Sequence, residues 1–233
     1  MSYKGYNILA VIPARGGSKG IPRKNLCKVD GISLVARAVK IAKSLTWIDK
    51  VVLSTDDREI AEEGRKYGAE VPFLRPSELA GDISKSVDVW RHALIEVEKY
   101  YNTSFEISIL LEPTSPFREP RHMEEVVEKL VEGGYDSVLT VSETDSKGHP
   151  LKQMVIKDNR VGYYDDAGKD IIARQQLTPV YHRNGVAYAI MRKCLVEQKT
   201  IIGANASAVI IDEPLVNIDT EQDLEKAQSL LCR

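Results

Sequence analysis

Apolar and polar positions follow two rhythms along the chain. Short apolar runs at residues 7–13, 50–54, 106–111, 137–141, 185–191 and 208–212 read as buried strands, each bounded by turn formers. Between them, apolar residues recur three and four apart, the spacing of one buried helical face, over about 33–44, 59–67, 86–101, 120–132 and 220–231. Asp56 and Asp57 stand where a helix cap belongs ahead of 59–67, and Gly68 supplies a stop. One more short strand is expected at 71–74, bounded by Pro72 and Pro76. Strands alternating with helices predict an α/β fold, a mostly parallel sheet with helices on both faces. The rhythm breaks over about 142–183, a polar stretch with Tyr163, Tyr164, Asp165 and Asp166 and no long apolar helix. It is read as an inserted, β-rich excursion within a single domain spanning 1–233.

Composition narrows the function classes. Of 233 residues, 43% are hydrophobic and 28% charged, ordinary for a soluble globular protein. Lys and Arg total 32 against 34 Asp and Glu, and a net charge of -2 argues against bulk affinity for nucleic acid or an anionic membrane. Aromatic residues make up only 6% and form no stacking stripe; Trp47 and Trp90 read as packing residues. Cys27, Cys194 and Cys232 are odd in number and widely spaced, so neither a zinc knuckle nor a disulfide framework is expected, and a cytoplasmic location is the simplest reading. No apolar run approaches the ~20 residues of a spanning helix. His92, His122, His149 and His182 have no metal-ligand spacing.

Charge distribution says more than its sum. The loop after the first strand, 14–28, carries Arg15, Lys19, Arg23, Lys24 and Lys28 and no acid. Loops at the carboxyl ends of parallel strands are where open α/β sheets bind ligands. Glycines let backbone N–H groups approach an anion, and Arg and Lys oppose its charge, so a nucleoside triphosphate fits. Gly16, Gly17 and Gly20 match neither the dinucleotide fingerprint nor the Walker loop.

Residues 12–25, IPARGGSKGIPRKN, resemble the signature of the acylneuraminate cytidylyltransferases, the CMP-sialic acid synthetases. FLRPSELA at 73–80, LEPTSPFR at 111–118, Arg174 with Gln175 and Gln176, Asn184 with Gly185, and Ile218-Asp219-Thr220 recur in family order across nearly the whole chain. The resemblance implies a Rossmann-like sheet of the nucleotidyltransferase type. It implies an enzyme that transfers CMP from CTP to the anomeric hydroxyl of a sialic-acid-like sugar acid, expelling pyrophosphate.

By match, Arg15 and Lys24 are the catalytic cations, stabilising charge around the α-phosphate. Ala14, Gly16, Gly17, Ser18, Lys19 and Asn25 complete the phosphate and ribose cradle, and Arg75 and Ser86 read the cytosine. Glu112, Thr114, Ser115, Arg174, Gln175, His182, Arg183 and Asn184 are the implied sugar-acid contacts. Arg suits the substrate carboxylate because its planar fork binds one bidentately. The second family Arg falls on His182, with Arg183 one position along. Where the family places a paired carboxylate for Mg²⁺, this chain has Asn217 before Asp219, and Glu112 is the candidate for the missing charge. Asp219 has a second possible role, capping the terminal helix with Thr220. The family also implies a homodimer joined through the 142–183 excursion, with no nucleic-acid or membrane partner. Two alternatives stay open: another acceptor, such as ketodeoxyoctonate or a sugar phosphate, and a non-catalytic nucleotide-binding relative.

Overall fold

A computed structural model describes residues 3–231, so Cys232 lies outside the described residues. The elements in chain order are β1 (Ile8–Pro13), β2 (Lys28–Val29), β3 (Ile32–Ser33), α1 (Leu34–Ser44), β4 (Lys50–Ser54) and α2 (Arg58–Lys66). They continue with α3 (Ser86–Tyr101), β5 (Ile107–Leu110), α4 (Pro120–Glu132), β6 (Ser137–Glu143), β7 (Met154–Lys157) and β8 (Arg160–Tyr163). The last three are β9 (Tyr181–Met191), β10 (Ala206–Ile210) and α5 (Glu221–Leu231).

Helix starts follow local chemistry. Ser33 accepts from the Ala36 N–H at the head of α1, Asp57 does so from Ile60 at the head of α2, and α4 opens on Pro120. The chain divides into two compact units. Among the described residues the first comprises 3–140, 184–209 and 214–231.

The six-stranded sheet has the order β10-β6-β9-β5-β1-β4. β1 runs parallel to both β4 and β5, and β9 returns antiparallel to β5. Alternation along β1 splits the core between the faces of this sheet. Ile8, Ala10 and Ile12 pack with α1, Ile60 of α2, and α4. Leu9 and Val11 pack with Trp90, Ala93, Leu94 and Val97 of α3. Trp90 is fully buried and donates from Nε1 to Ser108 Oγ at 2.7 Å, so it is a packing residue.

Residues 71–74 do not form the expected strand. Glu70 alone bridges Val52, accepting from Leu53 N and donating to Val51 O at 2.9 Å each. Pro72 has no N–H to continue the ladder. The π turn Cys194–Gln198 and the β2–β3 hairpin have no clear sequence rhythm, being only five and two-plus-two residues long.

The second unit comprises 141–183 and 210–213. Its β7 and β8 pair as an antiparallel hairpin. Asp158 and Asn159, at φ 50° and 60°, form its two-residue turn, a left-handed pair that Asp and Asn tolerate. Short single-turn helices at Pro150–Lys152 and Asp166–Asp170 are capped by His149 and Asp165.

Candidate active site

The loop after β1 is held in shape by its own polar groups. Ala14 N–H donates to Ser54 O at 2.9 Å, and Asn25, buried, donates from Nδ2 to Arg15 O at 2.9 Å. A small apolar cluster fastens the loop to the C-terminal segment: Ile21, Val29 and Leu34 pack with Val216, Ile218 and Ala227. Gly20 lies so close to the backbone of Asp219 that a Cβ would overlap the Asp219 carbonyl oxygen. Lys24 Nζ consequently reaches Asp219 Oδ1 at 2.8 Å. The turn after β5 is tied to the same segment, because Ile218 N–H donates to Thr114 O at 2.9 Å.

These elements enclose a cavity of about 540 Å³ in the first unit. Arg15, Ser18, Lys19, Lys24 and Asn25 line it, together with Arg75, Ser86, Glu112, Thr114, Asn217 and Asp219. Eleven of the residues singled out from sequence thus share one wall system. Arg75, only 6% exposed, donates from Nε to Ser54 Oγ at 3.1 Å and from Nη2 to Ser54 O at 2.5 Å. Burial pushes its guanidinium down to about 10, Asp56 opposing and Arg15 adding to the shift, so it stays charged at neutral pH. Ser86 is the first residue of α3 rather than its cap, which is Lys85.

Other predicted residues have different places. Ala14 is fully buried. Gly16 gives its N–H to Asp56 Oδ1 at 3.0 Å, and a Cβ there would meet Asp57 Oδ2 at 2.8 Å. The missing side chain leaves room for the two aspartates beside it. Gly17 has open space around it. Ser115 and Asn184 are buried: Ser115 Oγ donates to Asn184 O at 3.3 Å, and Asn184 Oδ1 accepts from Val186 N at 3.2 Å with Thr140 Oγ1 at 2.6 Å. Gly185 needs its positive φ of 73°, and a Cβ would come 2.8 Å from Glu112 Oε2. Arg174, Gln175, His182 and Arg183 belong to the second unit. There Arg174 lines a cavity of about 60 Å³ with Glu143, Thr144 and His149. His182 Nδ1 lies 2.9 Å from Thr144 Oγ1, and Gln175 and Arg183 are exposed.

The carboxylates change the charge picture. Four of the five loop cations have acidic partners from distant sequence: Arg15 and Lys19 meet Asp82, Arg23 meets Asp57 and Glu59, and Lys24 meets Asp219. Arg23 is therefore a strut onto the head of α2, held at φ 55° by both carboxylates. Asp82, a cavity residue, carried no sequence signal beyond a lone acid after Gly81. Arg118 was also missed as a site organiser. Its buried guanidinium donates to the carbonyl oxygens of Glu112 at 2.7 Å, Gly185 at 3.0 Å and Val186. Burial lowers it to about 10 while the Glu112 charge opposes the shift.

Asp219 does not cap α5. Thr220 and Asp223 share that task, Asp223 Oδ2 accepting from Thr220 N at 2.9 Å and Thr220 Oγ1 accepting from Asp223 N at 3.3 Å. Asp219 is left to face Lys24 along the cavity with Asn217 and Glu112. Hard oxygen donors of this kind, one or two carboxylates beside a phosphate pocket, suit Mg²⁺. Among the described residues no group of three or more His, Cys, Asp or Glu forms a self-sufficient metal cage.

A family model described as cytidylyltransferase matches residues 9–231. The chain is 33% identical over 224 residues to the pseudaminic acid cytidylyltransferase of Campylobacter jejuni, covering 95% of each protein. It is 31% identical over 226 residues to the CMP-N,N'-diacetyllegionaminic acid synthase of the same species, covering 96% of this chain and 94% of that one. Among solved structures, a CMP:2-keto-3-deoxy-manno-octonic acid synthetase complexed with CTP superposes with a TM-score of 0.71 at 17% identity, over 97% of this chain and 98% of that one. That likeness concerns the fold.

Proposed function

The chain belongs to the cytidylyltransferase family, and from that premise we propose that it transfers CMP from CTP to the anomeric hydroxyl of a nonulosonic acid. The hydroxyl oxygen bonds to the α-phosphorus and its proton passes to solvent, the bond from that phosphorus to the oxygen bridging to the β-phosphate breaks, and pyrophosphate leaves. One observation carries the reading: a single cavity gathers Arg15, Lys19, Lys24 and buried Arg75 together with Glu112 and Asp219. Transfers of this kind need little covalent help; positioning and charge stabilisation supply most of the rate. Arg15 and Lys24 stabilise the charge developing at the α-phosphate, and Lys19 and Ser18 hold the outer phosphates. Arg75 and Ser86, which line the same cavity, read the cytosine. Asp219, Asn217 and Glu112 would hold Mg²⁺, which when bound neutralises phosphate charge.

Glu112 and Thr114 are the proposed sugar contacts within this cavity. Arg174, Gln175, His182 and Arg183 are proposed to meet the sugar acid, with Arg174 taking the carboxylate. The second unit is also the proposed homodimer surface. Its hairpin and following turns expose Ile156 at 76%, Val161 at 67%, Tyr164 at 69% and Ile172 at 92%, apolar side chains that a second copy would cover. Because the reaction consumes CTP, the proposed compartment is the cytoplasm. Among the described residues no helix is long and apolar enough to cross a membrane.

The test is pyrophosphate release from CTP against a panel of pseudaminic, legionaminic and sialic acids, ketodeoxyoctonate and a sugar 1-phosphate. Turnover with a nine-carbon acid and Mg²⁺ is expected. Turnover confined to ketodeoxyoctonate or the sugar phosphate would replace the acceptor, and CTP binding without turnover on any of them would make the chain a non-catalytic relative.

A further inference from the structure

The basic wall of the cavity already holds an anion, supplied by the chain. Arg15 Nη1 lies 2.9 Å from Asp82 Oδ1, and Lys19 Nζ lies 2.6 Å from Asp82 Oδ2. One carboxylate thus spans both cations as a phosphate oxygen pair would. The Lys19 hydrogen bond is the largest influence and holds the Asp82 carboxyl below the usual carboxylate range; burial opposes it, and a weaker hydrogen bond from Arg15 adds to the lowering.

The setting of Asp82 differs from that of the other acids on the loop. Asp57 is fixed as the cap of α2, and Asp219 is pinned by the close approach of Gly20. Asp82 instead sits on the stretch between the turn Ser77–Leu79 and α3, followed by Ile83, which is 96% exposed. Ile83 gives the loop no apolar anchor; Ser84, donating from Oγ to Glu78 O at 3.1 Å, ties its backbone, and the side chain of Asp82 is held by the two ion pairs. The Lys19 side chain is 79% exposed and that of Asp82 43%, and ion pairs this open are weak and exchangeable.

We propose that Asp82 is an exchange anion that helps set which ligands the cavity accepts. In the ligand-free protein it holds Arg15 and Lys19 in place; a polyphosphate displaces it, and it returns as pyrophosphate leaves. A ligand that brings no phosphate leaves the pair intact and gains nothing from those cations. A ligand that brings several charges binds in spite of the displaced pair, with its affinity lowered by the worth of that pair. This inference rests on the reading of the cavity as a nucleoside triphosphate site.

The experiment is calorimetric titration of the full chain and Asp82→Asn with tripolyphosphate, pyrophosphate and cytidine, each without divalent metal. Asn keeps the shape of the side chain and removes its charge, and Asp82→Ala repeats the comparison without a polar group. Both variants are expected to bind tripolyphosphate and pyrophosphate about 3- to 10-fold more tightly, as loss of a competing open ion pair predicts, and cytidine within about 2-fold. The gain should shrink at about 1 M salt, where charges are screened within about 3 Å. Polyphosphate binding unchanged or weaker in both variants would overturn the exchange, weaker binding meaning that Asp82 assists the bound ligand. Equal tightening of cytidine would overturn it as well, because the effect would then not run through phosphate. Failure of the unaltered chain to bind tripolyphosphate at all would overturn the reading of the cavity, and the exchange with it.

Discussion

Two buried arginines show how burial by itself does not define a role. Arg75 and Arg118 are 6% and 3% exposed, and desolvation lowers both to about 10. Arg75 lines the cavity, whereas Arg118 spends its donors on three carbonyls, knitting the turn after β5 to the middle of β9. Replacing Arg118 by Met leaves those carbonyls without donors in the interior. Urea unfolding of Arg118→Met is expected to show a loss of about 3–5 kcal/mol, the range for breaking a buried charged network. Gly20 makes the opposite point, since it matters for what it lacks. In Gly20→Ala the new Cβ meets the Asp219 carbonyl and pushes the loop from the segment that Lys24 must reach. Turnover is expected to fall at least about 10-fold, about 1.4 kcal/mol in the barrier, with secondary structure by circular dichroism unchanged.

At the scale of elements, α2 links the helix framework to the basic loop through one residue. Asp57 caps the helix by accepting from Ile60 N–H and also chelates Arg23. Partial burial raises its carboxyl, but the Ile60 hydrogen bond and the Arg23 guanidinium outweigh that and leave it below the usual range. Its folded pKa is depressed, so its contribution is fully present above the unfolded value of about 4 and is lost as pH falls through the folded one. Asp57→Ala is expected to lose about 1–2 kcal/mol at neutral pH, as removed caps do. Asp57→Asn should keep most of the cap while flattening the acid limb of a stability-against-pH curve measured by thermal unfolding. An unaltered acid limb in Asp57→Asn would assign that limb to other carboxylates, such as Asp223, lowered by Thr220.

For the whole molecule, the exposed apolar side chains of β7 and β8 predict that association runs through the second unit. Ile156→Glu is expected to raise the dissociation constant of a dimer at least about 10-fold in analytical ultracentrifugation, because a charge buried at an interface is costly. A mass that stays dimeric over the same dilution series would move the interface elsewhere. Most elements were legible from the chain alone: β4, α3 and α4 begin and end where periodicity and caps place them. The strand at 71–74 failed because Pro72 cannot extend the ladder beyond Glu70, a pairing property no single-strand pattern contains. Much of the candidate site was also legible, since its cations and glycines are contiguous between 14 and 25. By itself the sequence determined the α/β rhythm, the basic loop and the motifs that mark the family, because these depend on neighbours along the chain. Only the tertiary structure decided how that charge is compensated. Asp57, Asp82 and Asp219 come from three separate segments, and a Coulomb pair depends on distance in space, which the folded sheet alone sets. The loop that reads as an unopposed patch of charge is mostly a set of ion pairs, two of them sharing one exchangeable carboxylate.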